Sequence, residues 1–161
     1  MKCAARPAVK DTSLPQLRSP GMDKDRPTGG CACGGVRFTT PAQPIRTGLC
    51  HCLTCRKAHA AAFNPFVIVA RDDVEFDGQL QSWRSSDHYE RCFCQRCGSR
   101  VYGATIGGDE LELSLGSFDE PGRFEPLYES WVVRREPWLA ALDIPQHEGD
   151  RPEDWHQSTT G

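Results

Sequence analysis

Eight of the nine cysteines lie in three short clusters, and their spacing limits what this chain can fold into more than any other feature. The first is Gly30-Cys31-Ala32-Cys33-Gly34-Gly35. The second is Cys50-His51-Cys52-Leu53-Thr54-Cys55-Arg56-Lys57, and the third is Cys92-Phe93-Cys94-Gln95-Arg96-Cys97-Gly98. Cys3 stands alone near the start. Thiolates two or three residues apart can turn both sulfurs toward one cation, whose zinc–sulfur bonds are about 2.3 Å long. Gly98 can take a positive φ and finish such a turn, and Gly34 and Gly35 can do so after Cys33. A C-x-C pair on an extended strand would also place Cys31 and Cys33 on one face.

Clusters one and three therefore read as halves of one four-thiolate site made of Cys31, Cys33, Cys94 and Cys97. Closing the roughly 60-residue loop between them would strongly constrain the unfolded chain. Four thiolates fill a tetrahedron, so this site is expected to be structural. Cys50, Cys52 and Cys55 remain, and three ligands leave one coordination position open, as catalytic zincs do. Zinc with three thiolates carries a net charge of −1. It generates hydroxide poorly and suits a soft ligand such as a substrate thiol. If Cys55 opens a helix, the helix start, Arg56 and Lys57 stabilise its thiolate, and the two cations could take carboxylates. The alternative is a second structural site completed by Cys92, His51 or His59. His59, four residues after Cys55, shares its helix face. His51 is expected to point away from the metal, and Cys92 to be a spare thiol beside the four-thiolate site.

The rest of the chain suits a small domain that needs such help. It has 161 residues, 38% hydrophobic content, 15 Gly and 12 Pro, which implies a modest core with many turns. Residues 1–28 and 146–161 read as flexible tails around a folded part at 29–145. Strands are expected at Val36–Thr40, Phe66–Ala70, Val74–Phe76, Val101–Tyr102, Leu111–Leu115 and Tyr128–Val133. Short helices are expected at Cys55–Ala62 and Pro137–Leu142. The fold class is therefore mainly β, a sandwich-like domain of short antiparallel strands with one or two short helices. A formal charge of −3 gives no case for nucleic acid, and no apolar run is long enough to span a bilayer. Without an apolar leader, a cytoplasmic location with reduced thiols is the expectation.

Three linked motifs carry a family resemblance. Gly30-Cys31-Ala32-Cys33-Gly34-Gly35-Val36-Arg37-Phe38, Cys50-His51-Cys52-Leu53-Thr54-Cys55-Arg56-Lys57 and Phe93-Cys94-Gln95-Arg96-Cys97-Gly98-Ser99 resemble the glutathione-dependent formaldehyde-activating enzyme family. The stretch from Tyr128-Glu129-Ser130-Trp131 to Leu139 is similar to that family's C-terminal segment. The resemblance implies a β-tent-like fold with two zincs per chain. It puts a structural zinc on Cys31, Cys33, Cys94 and Cys97, and a labile one on Cys50, Cys52 and Cys55, where glutathione and an aldehyde would meet. The implied activity is carbon–sulfur lyase chemistry that joins formaldehyde to the glutathione thiol, or the reverse. The chain departs from the family at His59-Ala60, where Ser/Thr-Gly is frequent. Arg56, Lys57 and His59 are the candidate substrate-binding residues. A non-catalytic interaction or sensor module on the same scaffold is the rival reading. A fourth protein ligand at the second site would favour it.

Overall fold

The computed structural model describes residues 26–152. The chain runs through β1 (Thr28–Gly30), β2 (Val36–Thr39), β3 (Arg46–Cys50), α1 (Leu53–His59), β4 (Asn64–Ala70), β5 (Glu75–Gly78), β6 (Leu80–Ser86), β7 (Tyr89–Cys94), β8 (Arg100–Thr105), β9 (Glu110–Ser114), β10 (Glu129–Ser130) and β11 (Gln146–His147). Three short 3-10 turns complete it. The domain is mainly β, as expected. Strands β1, β2 and β5 make a small antiparallel sheet, and the other eight form a sheet in the order β11-β10-β3-β4-β9-β8-β7-β6. The pairing is antiparallel except at β10, which runs parallel to both β3 and β11.

Period-two alternation explains how the large sheet is used on both faces. Along β9, Leu111 and Leu113 are buried with Val67, Val69, Val101 and Ala104. They pack with Val36 and Phe38 of the small sheet, and Phe38 meets Phe76 and Phe118 edge-on. Burying a side chain of this kind contributes roughly 1.5–3 kcal/mol, so this is the main apolar core. The intervening residues belong to the opposite face. Across it, Ile68 pairs with Glu112, Glu112 with Gly103, and Gly103 with Arg91. A second, smaller cluster of Phe66, Ile68 and Tyr128 packs there against Cys50 and Cys55.

Three expectations need correction. Pro137–Leu142 is not helical; one bond from the Leu139 amide to the Glu136 carbonyl closes a single turn. Trp138 and Leu142 are exposed, so a helix there would have no apolar face to bury. The stretch from Tyr128 is not a continuous strand, because Trp131 takes a left-handed conformation at φ 60 and a 3-10 turn follows. The ordered chain also continues beyond residue 145. Gln146–His147 pairs with β10, and the Trp131 indole donates to Asp150 at 2.7 Å. Cys3 and most of the expected N-terminal tail lie outside the described residues.

Candidate metal centres

Two groups of sulfurs come together, divided as four and three. In each, the ligand atoms lie within 4.8 Å of one another. The four are Cys31, Cys33, Cys94 and Cys97, with Cys31 and Cys33 at 3.4 Å and Cys33 and Cys94 at 3.8 Å. Sulfurs about 2.3 Å from a tetrahedral centre would stand about 3.8 Å apart, so this spacing suits a cation and is far too long for a disulfide. Cys31 and Cys33 do not sit on a strand, contrary to one expectation. They lie in the turn joining β1 to β2, where the Gly34 amide bonds the Cys31 carbonyl and the Val36 amide donates to the Cys31 sulfur at 3.2 Å. The facing turn follows β7, with the Gly98 amide on the Cys94 carbonyl at 2.8 Å. Gly34 at φ 70 and Gly98 at φ 76 close these turns in the conformation that side chains resist. The Cys97 thiol is brought down to about 6, foremost by the Ser99 hydroxyl.

The second group is Cys50, Cys52 and Cys55. Cys50 ends β3. Cys52 is the N-cap of α1, and its sulfur accepts from the Cys55 amide at 3.3 Å, so helix capping and ligand placement are one act. Crowding splits the three thiols. Cys52 is pulled far down, foremost by the Cys50 thiol and then by Cys55. Cys50 is pushed up to about 11, foremost by Cys52, and Cys55 further still, foremost by Cys50. Without a cation one thiolate is favoured at the expense of its neighbours; a bound dication would allow all three. Both donor sets therefore fit a soft metal ion. Among the described residues no fourth His, Cys, Asp or Glu joins the second group.

His51 joins neither sulfur group, and its role is to hold the loop. It is fully buried, and its Nε2 meets Glu129 Oε2 at 2.8 Å. Since the carboxylate only accepts, Nε2 carries the proton. Glu129, itself buried, also accepts from Arg135 Nε and Nη2 at 3.1 and 2.7 Å and from the Leu142 amide at 2.9 Å. This network locks the loop between Cys50 and Cys52 to the C-terminal segment. Cys92 belongs to neither sulfur group.

The candidate substrate residues divide between two surfaces. Arg56 is engaged by the Arg134 carbonyl and by Glu136, and with exposed Lys57 it lines a shallow groove beside Leu53 and Trp138. His59 instead lines a cleft of about 440 Å³ with Asn64, Ser99 and Arg100. Sequence reasoning missed the polar layer near Cys55. Arg91 of β7 is buried, places Nη2 3.5 Å from the Cys55 sulfur, and stacks on Tyr89. Asn64 donates to Glu112 at 2.9 Å, and burial raises the Glu112 carboxyl above its usual range. The available signal was parity: Glu112 alternates with two core leucines, so it had to face the helix side.

Comparison with known sequences bears on this geometry. The pattern of the glutathione-dependent formaldehyde-activating enzyme family matches residues 26–134, which contain both sulfur groups. The chain belongs to this family. It is also 29% identical over 80 residues to an uncharacterized lyase of Schizosaccharomyces pombe, covering 50% of this chain and 58% of that protein. A crystal structure of a Rhodobacter sphaeroides protein aligns with a TM-score of 0.48 at 17% identity, over 58% of this chain and 91% of the other.

Proposed function

We propose that this family member is a zinc-dependent carbon–sulfur lyase that forms or cleaves adducts between a small thiol such as glutathione and a small aldehyde such as formaldehyde. The observation that carries the reading is the incomplete donor set at Cys50, Cys52 and Cys55, which no fourth described residue completes. Zinc bound there would supply a soft Lewis-acidic position able to take the sulfur of the substrate thiol. The chain's own residues prepare that position. His51 and Glu129 fix the loop, the α1 cap aims Cys52, and the Arg91 guanidinium offsets the surplus negative charge of three thiolates. A zinc on Cys31, Cys33, Cys94 and Cys97 would tie the β1–β2 turn to the β7–β8 turn and take no part in the reaction. In the forward direction the thiol sulfur bonds to the aldehyde carbon. The carbonyl π bond breaks, and the thiol proton ends on the new hydroxyl. A cytoplasmic location fits thiols that must stay reduced.

The test begins with elemental analysis, which should find two zincs per chain, one for the group of four sulfurs and one for the group of three. Cobalt placed at the three-cysteine site should change its thiolate charge-transfer bands when glutathione is added, and Cys52→Ser should abolish the change. Because thiol and aldehyde combine unaided, catalysis is read from the rate of adduct exchange with and without protein by NMR magnetisation transfer. The rival, a non-catalytic interaction or sensor module, draws on the exposed Leu53, Val133 and Trp138. A cobalt spectrum indifferent to glutathione would favour it.

A further inference from the structure

Six buried side-chain atoms without a hydrogen-bond partner belong to one group of residues: His59 Nε2, Asn64 Oδ1, Tyr89 Oη, Arg91 Nη1, and Arg100 Nε and Nη1. Such atoms are rare in native structures, and a cluster of them marks a place where water or a polar ligand belongs. Charge makes the case specific. Two guanidiniums lie here; the buried Glu112 carboxyl, raised by burial, is felt by both, but neither makes a direct ion pair with a carboxylate among the described residues. Arg91 has the Cys55 sulfur as its counterpart, while the one hydrogen bond of Arg100 runs from Nη2 to the Tyr102 carbonyl. Burial and then the neighbouring Arg91 work against the Arg100 cation, and Cys92, Tyr89 and Glu112 offset them only in part, so the cation is costly to keep there.

Arg100 lines the cleft of about 440 Å³ between the α1–β4 connection and the turn carrying Cys31. Of the other charged side chains on that wall, Arg37 and Asp119 pair with each other. Arg100 is thus the cation on that wall with no carboxylate at ion-pair distance among the described residues, and the Cys31 sulfur lies on the same wall. The same field is felt by His59, whose imidazole is held down to about 4, first by burial and then by Arg100 and Arg91. Asn64 adds selectivity. Its amide nitrogen donates one of its two N–H bonds to Glu112, and its Oδ1 is an unpaired acceptor left for a ligand.

We propose that this cleft is a binding site for a carboxylate with an N–H donor beside it, as in an amino acid or a peptide C-terminus. Arg100 and His59 receive the carboxylate, and Asn64 Oδ1 accepts the N–H. This deepens the proposed function, since the ligand becomes the carboxylate end of the thiol substrate. Only that identity rests on the lyase reading; the site itself does not.

The test uses the full-length, metal-loaded protein and two thiol-free probes of like shape. N-acetylglycine has an amide N–H next to its carboxylate, and levulinate has a methylene in its place. Each is titrated against sodium chloride at matched ionic strength while the His59 ring and the Arg100 guanidinium are followed by NMR. N-acetylglycine should give saturable shifts at both residues. Levulinate should bind several-fold more weakly, because it leaves the Asn64 acceptor unpaired. Arg100→Gln should weaken N-acetylglycine about tenfold or more, whereas Arg100→Lys should retain part of the affinity. Shifts that merely follow ionic strength, or that survive unchanged in Arg100→Gln, overturn the site. Equal affinity for the two probes overturns the role of Asn64. Saturable N-acetylglycine binding alongside a cobalt centre indifferent to glutathione would sustain the site and sink the lyase reading. The opposite pair of results would do the reverse.

Discussion

Replacing Glu129 with Gln tests whether the loop carrying the three cysteines is held from behind. The carboxylate is 1% exposed, and it accepts from His51, twice from Arg135 and from the Leu142 amide. Burial alone would raise its pKa. The Leu142 amide, Arg135, His51 and Gln146 outweigh burial and bring it from 4.5 down to about 2. That difference corresponds to about 3 kcal/mol favouring the ionised form in the folded state. For a carboxylate held down in this way, the stabilisation is complete above pH 4.5 and is lost as pH falls toward 2. Gln keeps the shape but removes the charge, and it turns an amide NH₂ toward a donor, leaving a buried group unsatisfied. The expected loss at pH 7 is about 2–4 kcal/mol. Urea unfolding of metal-loaded wild type and Glu129→Gln measures it. Chelator competition should also strip metal from the three-cysteine site of the variant first. A stability change below about 0.5 kcal/mol, the range of an ordinary surface substitution, would refute the reasoning.

Two further perturbations separate what holds the fold from what shapes the site. Cys94→Ser should give unfolded or insoluble protein, since a structural zinc contributes about 10–16 kcal/mol in small peptides, more than a typical domain's net stability. Cys52→Ser should leave thermal melting close to wild type while loosening the second metal, and melts in the opposite order would mean that the two roles are exchanged. Ala60 caps α1 in the left-handed region at φ 49, so Ala60→Gly should relieve strain and stabilise the protein by about 0.5–1 kcal/mol in denaturant unfolding. No gain there would show that the cap conformation costs nothing in this chain.

The sequence made the two sulfur groups legible because cysteine spacing acts through local turn geometry, and glycine at positions 34 and 98 signals the turns. It also showed β2, β4 and β9, whose alternating or β-branched residues meet a continuous apolar core. It missed β3 and β7, and the reasons differ. Arg46-Thr47-Gly48-Leu49-Cys50 has little apolar content of its own, and Gly48 is there because a side chain would meet Phe66 and Tyr128. Tyr89-Glu90-Arg91-Cys92 reads as polar because one face of β7 lies on a charged layer. The Pro137–Leu142 segment looked helical by propensity, but packing did not support it. Its Leu142 amide instead serves the Glu129 carboxylate, a use no local pattern announces.

What local reading cannot reach is the company a side chain keeps across a sheet. Arg91, Glu112 and Asn64 come from three strands, and Arg100 from a fourth. Each alone resembles an ordinary polar residue of an amphipathic strand. Together with α1 above them they form a largely buried polar layer that meets the cleft at Asn64 and Arg100, with unpaired atoms that a purely structural domain would have no reason to keep. An apolar layer under a helix would be more stable than this one. Its persistence beside Cys55, through the Arg91 contact to that sulfur, is best explained by a need for positive charge next to an anionic cluster of thiolates. On that view the two sulfur groups divide the work along the faces of one sheet. Cys31 and Cys94 are built into the apolar core and stabilise it. Cys50 and Cys55 lie in the smaller cluster on the other face, next to the polar layer.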